Sequence, residues 1–228
     1  MGVTDVISFD IETKPLSEDE LRNIMPPFDP DSVAVGNLKD AAKIMAKIEE
    51  KRASHESEFF EKAALHAHTA TILVIGYHNP DTKTTVIQEA DEEKLIVDFW
   101  SQCSKMKSAG RSMVGVNIHG FDLPFIRRRS WMLGIDVPSW VREPGSRYWH
   151  KTFIDLCEEY GCGQRDWQLP SVSFDSLASY FGSGSKPDNC QGKIFYQVWD
   201  ENRDAAIEYL KNDVEQPAKW ARRMGIVK

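Results

Sequence analysis

The run Thr71-Ile72-Leu73-Val74-Ile75-Gly76-Tyr77 is apolar at nearly every position. A strand with one wet face alternates polar and apolar residues. A strand that does not alternate needs cover on both faces, which places it at the centre of a sheet between layers of helices. Val6-Ile7-Ser8-Phe9 reads as a second buried strand, ending at Asp10. Thr84-Thr85-Val86-Ile87 reads as a third, antiparallel to its neighbour across the turn Asn79-Pro80-Asp81. Met113-Val114-Gly115-Val116 is a fourth, and Thr152 to Leu156 a short fifth. Helical spacing runs from Glu92 to Met106, with apolar residues at 95, 96, 99, 100, 103 and 106. Phe121 to Leu133 is helical, with Pro124 tolerated in its first turn and Gly134 ending it. Ser173 to Phe181 is helical and stops at Gly182. The last helix runs from Glu201 to about Met224, and Pro217 is expected to kink it. Strands first, then helix and strand in alternation, give an α/β fold with a mixed central sheet flanked by helices.

The 228 residues suffice for one domain spanning 1–228. Residues 26–68 differ in character: Pro26-Pro27-Phe28-Asp29-Pro30 is extended, and from about Lys39 the chain is helical and highly charged. Ala41, Ile44, Met45 and Ile48 form an apolar stripe there, and Phe59, Phe60 and Leu65 are expected to dock the segment back. The segment reads as a solvated helical insertion after the first strand, with a substrate clamp as the alternative. The net charge of −7 argues against a protein held on nucleic acid by a basic surface, though not against an enzyme acting on nucleic-acid ends. The first residues lack a secretory pattern, and no apolar run is long enough to span a bilayer. Cys103, Cys157, Cys162 and Cys190 show no zinc or redox spacing, so reduced thiols and a cytoplasmic location are expected.

Three segments carry acidic groups in suggestive places. Asp10 and Glu12 are two apart on a strand, so they share a face while Ile11 takes the other. Asn117 closes the fourth strand and Asp122 opens the following helix. If the first and fourth strands are parallel neighbours, Asp10 and Asp122 meet at their carboxyl ends. Tyr209 and Asp213 are four apart on a helix and point into the same space. Carboxylates gathered in one place repel, so such a set reads as a divalent-metal site. Each segment alone has a bland explanation: a wet strand end, a helix cap, a core aromatic.

In order, Asp10-Ile11-Glu12, Asn117-x-x-x-Phe121-Asp122 and Tyr209-x-x-x-Asp213 resemble the three motifs of the DEDDy branch of the ribonuclease H-like 3′–5′ exonucleases. The context looks most like predicted stand-alone exonucleases related to the proofreading domain of family B DNA polymerases. Phe121 to Arg129, Phe153-Ile154-Asp155-Leu156 and Phe174 to Ala178 share in the likeness, which covers nearly all of the chain except 26–68. The resemblance implies a ribonuclease H-like fold and two-metal phosphodiester hydrolysis from a 3′ end, with Mg²⁺ or Mn²⁺ as the cations. Asp10 would bridge both ions, Glu12 and Asp213 would hold the one that binds the attacking water, and Asp122 would act on the second through its waters. Tyr209 would orient the water, since a phenol with a pKa near ~10 is a poor base at neutral pH.

For substrate contacts, Thr13 offers its backbone N–H, Asn117 a hydrogen bond and Lys186 a cation on a glycine- and serine-rich loop. Phe121 either walls the pocket or sits in the core, the core being favoured. Of Arg127, Arg128 and Arg129, one or two can reach a phosphate. Trp140, Trp149 and Trp167 are candidates to stack on unpaired bases. His119 is read as non-catalytic, since relatives that use a histidine base place it where this chain has Tyr209. The expected substrate is the 3′ end of single-stranded or frayed DNA. An exoribonuclease of the same chemistry and a non-catalytic nucleic-acid-binding module are the alternatives.

Overall fold

The computed structural model describes residues 6–142, 149–162, 172–183 and 194–227; Trp167, Lys186 and Cys190 lie outside them. In chain order the elements are β1 (Val6–Pro15), α1 (Glu18–Ile24), α2 (Ala41–Lys62), β2 (Ala70–Asn79), β3 (Thr84–Gln88), α3 (Glu92–Ser108), β4 (Ser112–Gly115), α4 (Asp122–Met132), β5 (Phe153–Asp155), α5 (Leu156–Tyr160), α6 (Phe174–Phe181), α7 (Phe195–Glu201) and α8 (Arg203–Arg223). The strands lie in the order β3-β2-β1-β4-β5. β2 is antiparallel to both β1 and β3, while β1, β4 and β5 are mutually parallel. The sheet is mixed, as the sequence pattern indicates.

Helices cover both faces. Ile7, Phe9 and Ile11 on one face of β1 pack with Leu95, Ile96 and Phe99 of α3 and with Leu123, Phe125 and Ile126 of α4. The apolar positions expected on α3 are all buried. Asp91 caps this helix by accepting from the Lys94 N–H, Glu92 and Glu93 sit in its first turn, and Lys105 and Lys107 in its last, so local charge and core burial agree. The opposite face of the sheet carries α6, α7 and α8: Val6 and Val114 meet Phe174 and Trp220, and Val74 meets Tyr209, Leu210 and Val214. Among the described residues no helix is long and apolar enough to cross a membrane.

Three expectations need correction. β1 does not end at Asp10; it runs to Pro15 because β2 pairs with it over that whole length, with one register shift between Glu12 and Thr13. The stripe on α2 is not buried: the helix has no buried residue and Met45 is largely exposed. Leu65 is exposed too, and Ala63, Ala64 and Ala67 make the close contact instead, small side chains letting the returning chain lie flat against the sheet. Pro217 lies inside α8, which runs from Arg203 to Arg223.

The insertion is held by polar contacts. The Thr13 hydroxyl donates to the Ala64 carbonyl (2.6 Å) and the Leu16 N–H to the Thr69 carbonyl (2.9 Å). His55 meets the Pro26 carbonyl, and Arg52 lies 4.8 Å over the Phe28 ring, so the proline-rich stretch packs on α2. Arg129 forms a buried two-point pair with Glu92 (2.8 and 2.5 Å) and also donates to the Ala67 carbonyl. The same Glu92 accepts from the Ile72 N–H (2.8 Å), next to the register shift. Removing one partner would strand a buried charge, a loss of about 3–5 kcal/mol. Arg129 is thus a structural fastener and not a phosphate contact.

Gly76 decides how closely α8 approaches. A Cβ at this position would lie 2.9 Å from Leu210 Cγ and 3.0 Å from Val214 Cγ1. A glycine in an otherwise apolar strand marks such an approach. Gly76→Val should push α8 outward and cost about 1–3 kcal/mol, measured by urea denaturation. Unchanged stability would show that α8 does not rest on this residue.

Candidate active site

The site forms where β1 outruns β4. Parallel pairing of the two strands ends at Ser8 and Val114, and β1 continues with β2 alone. Ile11 turns into the core beside α3 and α4, so Asp10 and Glu12 turn to the face covered by α8. Asp10 lies opposite Gly76, and Glu12 opposite Val74. Leu210 and Val214 seat α8 on Gly76, and Asp213 lies between them in sequence. The Ser8 hydroxyl donates to the Val214 carbonyl, tying the turn before Pro217 directly to β1.

This packing gathers one carboxylate oxygen each from Asp10, Glu12 and Asp213 within 4.8 Å of one another. Glu12 and Asp213 are each only 5% exposed. A small hard cation with ligand oxygens at about 2.1 Å spaces those oxygens roughly 3–4 Å apart. The observed spacing is that of a slightly open ligand shell, and the all-oxygen donor set suits Mg²⁺ or Mn²⁺. The residues present fit a divalent metal.

Asp122 stands beside this group in a different role. It is 2% exposed, and its Oδ1 accepts from the Ile11 N–H (3.0 Å), on the edge of β1 that β4 has left. The carboxylate replaces the missing strand as hydrogen-bond partner and locks α4 to β1 between the two other acids. Burial pushes the Asp122 carboxyl up to about 7; the Ile11 N–H pulls it back, and the charges of Asp155 and Asp213 add to the rise. The negative potential of the cluster is thus felt at Asp122.

The loop from β4 to α4 is organised by Asp155, which the sequence likeness includes without assigning it a role. Its carboxylate accepts from the N–H groups of Asn117 (3.0 Å), His119 (2.8 Å) and Cys157 (2.9 Å). An acid at the carboxyl end of a sheet strand was the available signal. Asn117 has φ of 59°, and its Oδ1 would lie 2.3 Å from a Cβ at Gly120, so the Asn–Gly pair sets the turn that delivers Asp122. Asn117 also lines, with Asp10, Asp213, Val116, Val172, Ser173 and Phe174, a cavity of about 410 Å³.

The other candidates divide. Tyr209 is buried, its ring 5.7 Å from Phe195, so α7 fixes the phenol one turn before Asp213. Phe121 packs on Phe125 (5.6 Å) against the main core, as favoured. The Thr13 side chain is committed to Ala64. His119 pairs with Glu158 (2.8 Å) and stacks on Trp149. Glu208 is solvated, paired with Lys211, whereas Glu215 accepts from Thr85 and fastens α8 to β3. Trp140 stacks on Phe153 at 5.9 Å and serves the core. Cys103, Cys157 and Cys162 are free thiols.

Without metal, the folded state holds a proton at Asp122 that an unfolded chain, with its aspartate near 3.8, releases. The resulting stabilisation is fully present below the unfolded value and is lost as pH rises through about 7. In chelator, stability should therefore fall between about pH 4 and pH 7. Asp122→Asn, which keeps an acceptor for Ile11, should flatten that fall. Denaturation curves at several pH values check this, and an unchanged slope in the variant would contradict it.

The architecture has known counterparts. The family B DNA polymerase from the hyperthermophilic archaeon Pyrobaculum calidifontis superposes with a TM-score of 0.57 over 98% of this chain, at 18% sequence identity. The chain spans 25% of that polymerase, and at this identity the likeness is one of fold. No curated protein matches the chain. A family model described as the RNase H superfamily matches residues 60–219, a stretch that contains Asp122, Tyr209 and Asp213. With well over half of its length matched, the chain belongs to the RNase H superfamily.

Proposed function

We propose that this chain is a metal-dependent 3′–5′ exonuclease acting on single-stranded or frayed DNA ends, a single domain over 1–228. The observation that carries the reading is the convergence of Asp10, Glu12 and Asp213 from β1 and α8, with Asp122 alongside. Nothing in the packing of an ordinary core calls for acids there. The order of the motifs along the chain and the superfamily membership agree with it.

Asp10, Glu12 and Asp213 would hold the cation, and Asp122, locked at Ile11, would face a second ion from the α4 side. Divalent cations bound there supply activation of water and neutralise the charge that builds on the phosphate. Tyr209, fixed by Phe195, presents its hydroxyl to orient the attacking water. Asn117 and the walls at Val172 and Phe174 shape the cavity. Its volume lies within the ~300–1,000 Å³ of small-ligand sites. That is room enough for a terminal nucleotide.

The test is a time course on 5′-labelled single-stranded and mismatched duplex DNA, with Mg²⁺ or Mn²⁺. A ladder shortening from the 3′ end, absent with Asp10→Ala, is expected. No shortening with either metal would overturn the reading, and clean preference for matched RNA would overturn the DNA assignment. Tyr209→Phe should lower the rate about a hundredfold, the usual effect of losing one well-placed hydrogen-bond donor. Mn²⁺ affinity should stay as it was, and a matching loss of metal binding would show that the phenol acts on the site's structure instead.

A further inference from the structure

A cationic and aromatic surface begins at the active-site loop and continues along α4. His119, two residues beyond Asn117, stacks on Trp149 with centroids 6.1 Å apart and planes at 19°. The Arg127 guanidinium lies 5.7 Å from the Trp149 ring and 4.7 Å from the Trp131 ring. Trp131 is 60% exposed, and Arg128 beside it is also exposed. His119, Trp149, Arg127 and Trp131 thus form one connected row. From Asp122 to Trp131 is nine helical positions, about 13 Å along the axis.

Trp149 packs against the main core and on Phe153, but folding stability does not account for Trp131 or for the charge beside it. Trp131 covers no core, and an exposed tryptophan contributes little to packing. Among the described residues, Arg127 Nε and His119 Nε2 are buried without a hydrogen-bond partner. Burial and the nearby Arg142 hold the Arg127 pKa below its ordinary value, with no carboxylate of the described residues among the causes. Two guanidiniums are therefore close enough to repel, in a chain whose net charge is −7. Arg127, the exposed Arg128 and Arg142 thus gather positive charge against the overall balance, which suits an anionic ligand.

We propose that this row on α4 binds the single-stranded segment of the substrate leading into the active site, the exposed Trp131 stacking on an unpaired base, Arg127 meeting the backbone phosphate, and Trp149 backing Arg127 from the core side. The proposal rests on the nuclease reading for its substrate and goes beyond it in naming where the strand runs. Flat aromatic faces take any base, and guanidiniums take the phosphates between them. A duplex keeps its base faces covered and cannot use the row. The continuity of the row with the cavity that holds Asp10 and Asp213 is what selects nucleic acid over another acidic partner.

The test uses Asp10→Ala protein, which separates binding from cleavage, and a 5′-fluorescein oligothymidylate of about 12 nucleotides, read by anisotropy in chelator. Adding Trp131→Ala should weaken binding about five- to a hundredfold, the range for one stacked base. Trp131→Phe should restore most of the affinity. Arg127→Gln should reduce the salt dependence by about 0.7 in log–log slope. Val97→Ala, a surface position on α3, should leave affinity unchanged. A blunt duplex of the same length should bind more weakly and be insensitive to Trp131. Affinity unchanged by Trp131→Ala, with circular dichroism confirming the fold, would overturn the proposal, as would no binding of the oligonucleotide at all. If binding depends on Trp131 while the unmutated enzyme cleaves nothing, the nuclease reading falls and the strand-binding row stands.

Discussion

The contact between α8 and the floor of the sheet at Gly76 sets the distance between acids that would otherwise stay apart. Leu210 and Val214 lie against a residue with no side chain, so the helix axis comes close enough for Asp213 to join Asp10 and Glu12. Two like charges near 5 Å repel by on the order of 3 kcal/mol at the effective dielectric of a protein interior. Local packing absorbs that cost: Tyr209, Leu210 and Val214 are buried together against Val74, and the Ser8 hydroxyl holds the Val214 carbonyl. A cation reverses the sign of the interaction. The cluster is a destabilised arrangement waiting for charge compensation, the usual condition of a metal site built from carboxylates.

A second constraint is the early end of β4. Had β4 continued, its backbone would occupy the edge of β1 now held by Asp122. Its absence exposes the Ile11 N–H, and the carboxylate from the start of α4 fills the position. Asp155 does the equivalent work one strand further on, accepting three N–H groups from the loop and from α5. The carboxyl ends of β1, β4 and β5 thereby become a small floor in which side-chain oxygens substitute for the sheet ladder. Acids recruited for that structural purpose stand next to Asp10, Glu12 and Asp213, to which the proposed chemistry is assigned.

Much of this was legible in the sequence, for identifiable reasons. The unbroken apolar run at Thr71–Tyr77 placed β2 inside the sheet, and the spacing on α3 gave its buried face residue for residue. Period-two alternation put Asp10 and Glu12 together, and the i, i+4 relation put Tyr209 one turn from Asp213. What was not legible depended on partners distant in the chain. The full length of β1 is set by pairing with β2, which no property of Thr13 or Lys14 announces. The stripe on α2 has helical period, yet period alone does not say whether a surface awaits it, and Met45 faces solvent. Arg129 looked like Arg127 and Arg128, but it is buried on Glu92, 37 residues away. Asp155 stood inside a family-like segment, but its three N–H partners lie on a loop and a helix that only the fold brings to it.

The central claim is that Asp10, Glu12 and Asp213 act together as one cation site. Calorimetric titration of the chelator-treated protein with Mn²⁺ tests it most directly, run in parallel on the unmutated chain and on Asp213→Asn. Saturable uptake by the unmutated chain, weakened at least about tenfold in the variant, is the predicted result. Equal affinity in the two proteins, or no uptake by either, would contradict the account.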